Sequence, residues 1–474
     1  MTLPVILDKK NNQSGFYLLS DNTDAFVARF ALATIAEKTL DIQYYIMHND
    51  ASGRYLAYAI LSAADRGVHL RILVDDINMS GRDNNFKMLS QHENIEIRIF
   101  NPLSNRDWFR NFELLTNLDR AGRRMHNKAF IADNASAIIG GRNIGDEYFD
   151  ARNNLNFVDL DLLTVGPIVS DITKSFNEYW ESTWATPIEN LSKSRVVRKQ
   201  LMTLRNSLKD KWHHAKNTEY FQALNRAELT QKIINKQLDF IWAEANLFYD
   251  RPEKISNETT NTTIHIGPLV IPYFERTNKE MLIATPYFVP GRKGVRWLKN
   301  KRDQGINIKI LTNSLAATDV IAVHAGYKKY RKQLLASDID LFELKPSARP
   351  ALSKTNKLIE GSRHASLHAK YMVLDQQFVF VGSANIDPRS ELLNTEIGIM
   401  VKSKELARQT IELFEKSTSL DNSFHLQLDK TDNTLVWLTN ESGNEVHYSD
   451  EPKASLLKKF GVLILGLLPI ESLL

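Results

Sequence analysis

The chain of 474 residues is long enough for two or three domains. Hydrophobic residues make up 43% and charged residues 24%, which is typical of a globular protein with a large core and excludes a disordered chain, a collagen and a multi-span membrane protein. The net charge is only +4 and there is no cysteine, so anion binding must come from local clusters, while disulfides, cysteine-ligated metals and thiol catalysis are excluded.

Strand-like and helix-like patterns then occur twice along the chain. The strand-like runs are residues 40–50, 68–76, 94–102 and 125–133 in the first half, and 281–291, 306–314, 338–346 and 367–375 in the second. In each half the first helix-like stretch ends at a glycine, Gly67 or Gly305, as expected just beyond a helix C-terminus. Alternating strands and helices at these spacings predict two duplicated α/β domains built around mixed sheets.

The predicted domain boundaries follow from this duplication. The first α/β domain covers residues 1–185, a helical connector covers 186–263, the second α/β domain covers 264–420, and an extension covers 421–474. Residues 191–218 of the connector hold eight Lys and Arg against only Asp210. This run is either a solvated helical connector or a surface that meets an anionic partner. The Asn/Thr-rich stretch 256–263 predicts a flexible joint.

The extension contains the most apolar segment of the chain, residues 460–470, which follows Lys453, Lys458 and Lys459. The segment is too short to cross a bilayer as a helix, since a crossing takes about 20 residues. Two interpretations remain open: a terminal helix docked on the core, or an interfacial membrane anchor. The first residues lack a basic start and a long apolar run, so no secretory signal is expected.

A histidine-centred motif occurs once in each half. His126 precedes Lys128, Asp133, Gly140 and Asn143, and His368 precedes Lys370, Asp375, Gly382 and Asn385, with the same offsets of +2, +7, +14 and +17. At average residue frequencies, one histidine would meet these four demands by chance about once in 10⁵. The two copies are therefore not accidental.

This pattern, H-x-K-x4-D-x6-G-[GS]-x-N, resembles the phospholipase D superfamily, and more closely the bacterial cardiolipin synthases of the shorter type that lacks N-terminal transmembrane helices. The resemblance covers nearly the whole length and includes LDIQYYI, GGRNIGDEYFD, TNSLAATDVIAVHAGYKKYRK, GSANIDPRSELLNTEIG and LPIESLL. It implies two phospholipase D-like domains that share one active site. It further implies a phosphatidyltransferase that makes cardiolipin, with phosphatidylglycerol as acceptor and phosphatidylglycerol or phosphatidylethanolamine as donor.

The residue types of the two motifs suit chemistry on a phosphodiester. In a strand, His and Lys two apart project from one face, so each motif offers an imidazole beside an ammonium group. Lys128, Lys370, Asn143 and Asn385 would donate to the non-bridging oxygens as charge builds on phosphorus. One histidine would attack phosphorus and form a phosphohistidine, while the other protonates the departing alcohol and then deprotonates the incoming one. The lysines supply the positive charge, so no metal or cofactor is required.

The resemblance also implies roles for particular residues. It makes His126 the nucleophile and His368 the general acid/base, although the sequence does not break this symmetry. Asp159 and Glu396 match the family's carboxylates that hold the two imidazoles, and Asp161 is a rival to Asp159. His324 and Tyr327 match a segment near the substrate pocket, or otherwise belong to a helix face.

Other residues of interest have a structural and a functional interpretation. Asp133 and Asp375 belong to the motif but are expected in a turn or an ion pair at a strand end. Ser383, a candidate substrate contact, has Gly141 as its counterpart and is therefore not indispensable. The aromatic residues Tyr44, Tyr45, Tyr287 and Phe288 are expected in the core rather than along acyl chains. The pair His213–His214 lacks a third ligand, so a metal site there is not expected.

Competing functions remain open from the sequence. A hydrolase would use water as acceptor and give phosphatidic acid, a nuclease would bind its substrate in a basic groove, and a third alternative is a non-catalytic lipid-binding protein. The mild net charge and the apolar tail disfavour a nucleic-acid partner. The partners expected are phospholipids and an anionic membrane surface, with the chain peripheral on the cytoplasmic face of the bacterial inner membrane.

Overall fold

The structure is a computed structural model that describes residues 12–103, 122–152, 154–191, 198–256, 262–349, 364–429 and 431–468. Parts of three predicted segments lie outside these residues, namely 192–197 of the basic run, 257–261 of the joint and 469–474 of the apolar tail.

The first unit and the connector supply strands β1 (Ser14–Leu19), β2 (Thr39–Tyr44), β3 (His69–Asp75), β4 (Ile95–Phe100), β5 (Ala129–Ala132), β6 (Ser136–Gly140), β7 (Leu155–Val158), β8 (Asp161–Val165) and β9 (Ala185–Pro187). Their helices are α1 (Asn22–Ile35), α2 (Ala51–Asp65), α3 (Asp83–Leu89), α4 (Ile168–Glu181), α5 (Arg198–Ala215), α6 (Glu219–Arg226) and α7 (Glu228–Ile234).

The second unit and the extension supply strands β10 (Ile241–Tyr249), β11 (Glu280–Ala284), β12 (Asn307–Asn313), β13 (Asp340–Leu344), β14 (His364–Leu367), β15 (Tyr371–Leu374), β16 (Phe378–Gly382), β17 (Ile397–Lys402), β18 (Ser423–Leu428), β19 (Leu435–Glu441) and β20 (Asn444–Tyr448). Their helices are α8 (Ile266–Glu275), α9 (Gly291–Asp303), α10 (Ile321–Lys328), α11 (Arg331–Leu335), α12 (Pro388–Leu392), α13 (Lys404–Thr418) and α14 (Leu456–Gly466).

Eighteen of the 20 described strands form one continuous mixed sheet with an internal pseudo-twofold. Its order is β9-β4-β3-β2-β5-β6-β8-β1-β10-β17-β16-β15-β11-β12-β13-β18-β19-β20. The axis lies between β1 and β10, which pair antiparallel, and the strands on either side repeat the same sequence of neighbours. This repetition confirms the predicted duplication of mixed α/β units.

All eight predicted strand runs contain a strand, and both predicted glycines follow a helix. Gly67 and Gly305 have φ of 95° and 88°, a left-handed conformation in which a side chain would be strained. One detail of the prediction was wrong. His126 and His368 do not lie within strands but in the short segments just before β5 and β15.

The two units share a hydrophobic core. It joins Ile139 and Leu162 of the first unit to Val381 and Ile399 of the second, all fully buried. A separate two-stranded sheet also connects the units, because β7 pairs parallel with β14. These contacts hold the two motif segments at one interface.

Strands outside the eight predicted runs also join the sheet, among them β10, β18, β19 and β20. Within the predicted connector, β10 is the first strand of the second unit and pairs with β1 and β17. In the extension, β18 pairs with β13, and β19 and β20 continue the sheet; β19 and β20 have no counterpart in the first unit.

The basic connector packs on the first unit rather than standing in solvent. Trp212 on α5 stacks on Phe30 and Tyr58, at centroid distances of 4.7 and 5.6 Å, and Arg205 pairs with Asp65 at 2.6 Å. Across the described part of the chain, the helices are all too short or too polar to span a membrane.

Candidate active site

The aspartates of the two motifs perform the same structural task. Asp133, directly after β5, accepts hydrogen bonds from the backbone N–H groups of residues 37, 38 and 39. Asp375, directly after β15, accepts from those of residues 278, 279 and 280. Both aspartates have a positive φ, 54° and 51°. Each therefore connects its motif to the start of the neighbouring strand, β2 or β11, at a distance from the histidines.

Each histidine segment pairs with the other unit. The N–H of His126 donates to Thr395 O at 2.9 Å, and the N–H of His368 donates to Val158 O at 2.8 Å. Because residues 159 and 396 follow these acceptors in sequence, the pairing brings each imidazole beside a carboxylate from the opposite unit.

The resulting imidazole–carboxylate contacts are buried hydrogen bonds. Nδ1 of His126 donates to Glu396 at 2.9 Å, and Nδ1 of His368 donates to Asp159 at 2.6 Å. An acceptor at Nδ1 fixes the tautomer that carries its proton there, which leaves Nε2 with a free lone pair. Aromatic rings flank both imidazoles, Tyr45 against His126 and Tyr148 against His368.

The register of the sheet distinguishes Asp159 from Asp161. Gly140 pairs with Asp161 and Gly382 pairs with Gly398, so Asp159 and Glu396 each lie two residues before the partner of the equivalent glycine. Asp161 instead forms buried ion pairs with Arg29 at 2.9 Å and Arg142 at 3.2 Å. The rival carboxylate is therefore part of an ionic cluster in the first unit.

The hydroxyl of Ser383, a predicted substrate contact, is engaged within the protein. Its side chain is fully buried, its hydroxyl donates to Glu396, and it accepts the N–H of Ile397 at 3.0 Å. Its counterpart Gly141 lies so close to Asp159 that a Cβ there would be 2.2 Å from Oδ1. The longer side chain of Glu396 beside Ser383 thus corresponds to the shorter one of Asp159 beside Gly141.

Both motif lysines are buried next to their histidines. Nζ of Lys128 donates to His126 O at 2.6 Å, and Nζ of Lys370 lies 3.0 Å from Nδ1 of His368. Burial lowers the pKa of Lys128 well below its usual value, and it lowers the pKa of Lys370 to about 8, although Glu396 and Asp159 act in the opposite direction on both.

The electrostatics of the two histidines differ. Burial and the charges of Lys128 and Lys370 hold the pKa of His126 well below 6.5, with His368 as a further contributor. Burial and Lys370 also lower the pKa of His368, but Asp159 offsets part of this shift. Asp159 therefore favours the protonated form of His368, in opposition to burial and Lys370.

The pKa values of the two carboxylates, Asp159 and Glu396, are shifted in opposite directions. Burial alone would raise the pKa of Asp159, but the charge of His368 and its hydrogen bond outweigh burial and bring it to about 2. Burial does raise the pKa of Glu396, despite Lys128 and the hydroxyls of Ser383 and Ser390. The His368 pair therefore has the stronger anionic partner.

The two motif asparagines occupy equivalent positions after β6 and β16. Nδ2 of Asn143 donates to the hydroxyl of Tyr148 at 2.9 Å, and its Oδ1 accepts from the N–H of Ile46 at 3.3 Å. Oδ1 of Asn385 is buried without a hydrogen-bond partner.

Two positioning residues escaped the sequence analysis. Asp75, at the end of β3, accepts the N–H of Met125 at 2.8 Å. Asn313, at the end of β12, accepts the N–H of Leu367 at 2.7 Å. Each holds the residue that precedes a catalytic-motif histidine, and the signal that could have identified them was their equivalent place after matching strands.

His324 and Tyr327 lie in a buried ionic cluster, so the structure does not show them as substrate contacts. Nε2 of His324 lies 3.5 Å from Glu451, and the ring of Tyr327 lies beneath the guanidinium of Arg331. Both residues are at most 3% exposed.

The four other predicted aromatic residues divide between core and site. The hydroxyl of Tyr44 accepts from Arg29, and Phe288 packs on Tyr327, so both belong to the core. Tyr45 instead lies over His126, and the hydroxyl of Tyr287 donates to Asp319 at 2.8 Å.

Among the described residues, one His/carboxylate group has ligand atoms close enough to hold a metal. It consists of His48, Asp50 and Glu147, with atoms within 4.8 Å of one another. These atoms already have protein partners: Nδ1 of His48 is 3.2 Å from Glu147, and Asp50 accepts the N–H of Asp146 at 2.8 Å.

Comparisons with known proteins agree with the site. Residues 31–180 and 270–418 match the family described as "Cardiolipin synthase, PLD-like domain". The chain is 38% identical to cardiolipin synthase C of Escherichia coli (strain K12), over 98% of this chain and 96% of that protein. It is 34% identical to an uncharacterized protein of Helicobacter pylori (strain ATCC 700392 / 26695), over 95% of this chain and 87% of that protein.

The fold is also similar to a solved structure. The crystal structure of phosphatidylserine synthase from Haemophilus influenzae Rd KW20 aligns with a TM-score of 0.62 at 14% identity, over 98% of both chains. The family match and the 38% identity to a cardiolipin synthase show that the chain belongs to the cardiolipin synthase family and is a phosphatidyltransferase-type enzyme of the phospholipase D superfamily.

Proposed function

We propose that the protein makes cardiolipin from two phospholipids through a phosphohistidine intermediate, with phosphatidylglycerol as acceptor and phosphatidylglycerol or phosphatidylethanolamine as donor. The observation that carries the proposal is the crossed arrangement of the two histidines, each held at Nδ1 by a carboxylate of the other unit. Both Nε2 atoms are then available for chemistry in one lysine-containing site.

The difference between the two histidines supports His126 as the nucleophile. Attack needs a neutral imidazole, which burial and the charges of Lys128 and Lys370 favour at His126. Asp159, with a pKa of about 2, supports the protonated form of His368, which a general acid requires. The negative charge of a bound phosphodiester would raise the pKa of His368 and so offset part of the lowering by burial.

The reaction then runs in two displacements. Nε2 of His126 attacks phosphorus, the bond from phosphorus to the headgroup oxygen breaks, and His368 gives that oxygen its proton. A hydroxyl of phosphatidylglycerol then loses its proton to His368 and attacks phosphorus, which releases Nε2 of His126. Lys128 and Lys370 would stabilise the charge on the non-bridging oxygens, and the motif residues Asn385 and Asn143 would assist.

The lipid products test this proposal. Purified protein is incubated with vesicles of phosphatidylglycerol, with and without phosphatidylethanolamine, and the products are identified by mass. Cardiolipin together with free glycerol or ethanolamine is expected, and the released headgroup names the donor. Phosphatidic acid without cardiolipin would show that water is the acceptor and would contradict the transferase.

We further propose that the protein works at an anionic membrane surface, on the cytoplasmic face of the inner membrane. The family supports membrane association, and the basic residues of α5 suit an anionic leaflet. Protease treatment of spheroplasts and of inverted membrane vesicles tests on which face of the membrane the protein lies. We expect digestion of the protein only in the inverted vesicles.

A further inference from the structure

Helix α14 docks on the second unit by one face only. Val462 is buried with Leu315 and Ala325, and Gly461 faces Ile321. The helix begins after Ser455, whose hydroxyl accepts the N–H of Lys458. The docked interpretation of the apolar tail therefore holds for this face.

The opposite face of α14 is an apolar stripe in contact with solvent. We call this surface the α14 stripe: it consists of Leu456, Leu457, Phe460, Leu463, Ile464, Leu467 and Leu468, each between 44% and 83% exposed. Their spacing repeats every three to four residues, so the side chains lie along one side of the helix. Seven large apolar side chains exposed side by side on a folded protein mark a site of interaction.

Polar contacts fix helix α14 on the second unit. Nζ of Lys458 donates to three backbone carbonyl groups, those of residues 315, 316 and 318. Before the helix, Glu451 is buried and pairs with Arg331, and Lys459 pairs with Asp450 at 2.7 Å. The stripe therefore keeps a fixed orientation relative to the second unit.

The contacts of Lys458 also connect α14 to the active site. The loop that accepts from Lys458 follows Asn313, which holds Leu367 in front of His368. The same loop carries Asp319, which accepts from Tyr287 and whose charge acts on Lys370. The loop that holds α14 is therefore also the loop that carries residues next to the active site.

Cationic side chains accompany the stripe. Lys328, Lys329 and Lys332 are exposed on α10 and just beyond it, next to the helix against which α14 packs. Apolar residues beside lysines are typical of a helix that lies in the interface of an anionic bilayer. At this length α14 is too short to cross, since a span takes about 20 residues.

We propose that the α14 stripe inserts into the interface of an anionic phospholipid bilayer and holds the active site at the membrane surface. This inference rests on the proposed function, because lipid substrates must reach the site from a bilayer. It assigns the buried cluster of His324, Arg331 and Glu451 a role in mounting the anchor rather than in binding substrate.

Vesicle binding by the full-length protein tests the proposal. The triple variant Leu457→Ser/Phe460→Ser/Leu463→Ser is compared with the wild type by co-sedimentation with vesicles of phosphatidylglycerol and phosphatidylethanolamine. At least a tenfold loss of binding is expected. The matched control is Ile234→Ser, an exposed apolar residue on α7 of the connector, which should bind as the wild type does. Unchanged binding by the triple variant would overturn the proposal.

A second measurement keeps membrane binding separate from catalysis. Turnover of vesicles should fall in parallel with binding, whereas turnover of a short-chain monomeric phosphatidylglycerol should stay within twofold. The His126→Ala variant should bind vesicles normally. If the wild type turns over neither substrate, the proposed function fails, and binding by the triple variant still decides the role of the stripe.

A third measurement reports the depth of the stripe. Because the chain has no cysteine, Leu463→Cys provides a single thiol for an environment-sensitive fluorophore. Brominated lipids should quench this label but not the same label at Ile234→Cys. The stripe would instead be a self-association surface under two conditions. The label at residue 463 would not be quenched, and the wild type would form a dimer in solution that the triple variant does not form.

Discussion

The two histidine–carboxylate pairs break the symmetry of the duplication. Asp159 accepts from His368 at 2.6 Å and from the N–H of Leu160. Glu396 accepts from His126 and also from two serine hydroxyls, those of Ser383 and Ser390. The two serine hydroxyls stabilise the negative charge of Glu396 independently of the imidazole. Glu396 therefore favours the protonated form of His126 less. A neutral and a protonated imidazole are what the two steps of phosphoryl transfer require.

Asp159→Asn should impair His368, the proposed general acid. The amide oxygen still accepts from Nδ1, but the negative charge that favours protonated His368 is lost, so its pKa falls. The general acid is then deprotonated at lower pH, and the alkaline limb of the pH profile of kcat/KM should move down by about 1–3 units. At neutral pH we expect kcat to fall about 10–100-fold.

Glu396→Gln is the matched control from the other unit. Burial raises the pKa of Glu396, and its partner His126 acts as the neutral form, so the alkaline limb should stay in place while kcat falls. If Glu396→Gln moved the alkaline limb and Asp159→Asn did not, the roles of the two histidines would be exchanged.

Gly141→Ala should displace Asp159. The added Cβ would lie 2.2 Å from Oδ1, so the carboxylate must shift, and a misplacement of about 1 Å can cost about 100-fold in rate. We expect kcat to fall by that order while the protein stays folded, as measured by circular dichroism. Ser383→Ala removes a donor to Glu396 without a clash and should cost less than tenfold; equal losses in the two variants would contradict this explanation.

The sequence predicted these residues to different degrees. The fixed offsets from histidine identified both His–Lys pairs, because two independent copies agreed. Asp159 and Asp161 could not be separated, since residues two apart share a face of a strand and only the register with Gly140 decides between them. Asp75 and Asn313 were missed because their hydrogen bonds reach residues 50 and 54 positions away.

At the scale of elements, Asp133 and Asp375 tie each motif strand to its neighbour, and their loss should affect stability rather than chemistry. Asp133→Ala leaves three backbone N–H groups without their acceptor, as does Asp375→Ala, so each should lower the free energy of unfolding by about 1–3 kcal/mol. Urea unfolding measures the loss, and kcat of the folded enzyme should change by less than threefold.

The asparagine variants at the same positions provide the control. Asn keeps one side-chain oxygen and tolerates a positive φ, so Asp133→Asn should lose less stability than Asp133→Ala. A large fall in kcat in the folded Asp133→Ala enzyme would show instead that this aspartate takes part in catalysis.

Elements were predicted well where local pattern determines them. The strands of the two repeats alternate with helices, and both terminal glycines adopt the expected left-handed conformation. β10 was missed because it follows a long charged helical run and is only half-buried, without a clear alternation. β19 and β20 have no counterpart in the first repeat, so the duplication could not reveal them.

For the whole molecule, the crossed contacts predict that activity requires both units of the duplication. Each imidazole depends on a carboxylate 209 or 270 positions away in the other unit. The small sheet of β7 and β14 and the shared core hold these partners together. One chain should therefore contain one active site assembled from two halves, not two sites.

A single shared site predicts all-or-none losses. His126→Ala and His368→Ala should each reduce cardiolipin formation by at least 10³-fold, because one loses the nucleophile and the other the acid. Two independent sites would leave about half the activity in each variant. Rapid denaturation in SDS near pH 8, where the P–N bond of a phosphohistidine is stable, should trap at most one phosphatidyl group per chain during turnover of a labelled donor. The label should be absent in His126→Ala and retained in His368→Ala when the leaving group of the donor needs no proton, as with p-nitrophenol. Label trapped in His126→Ala but not in His368→Ala would reverse the assignment of the nucleophile.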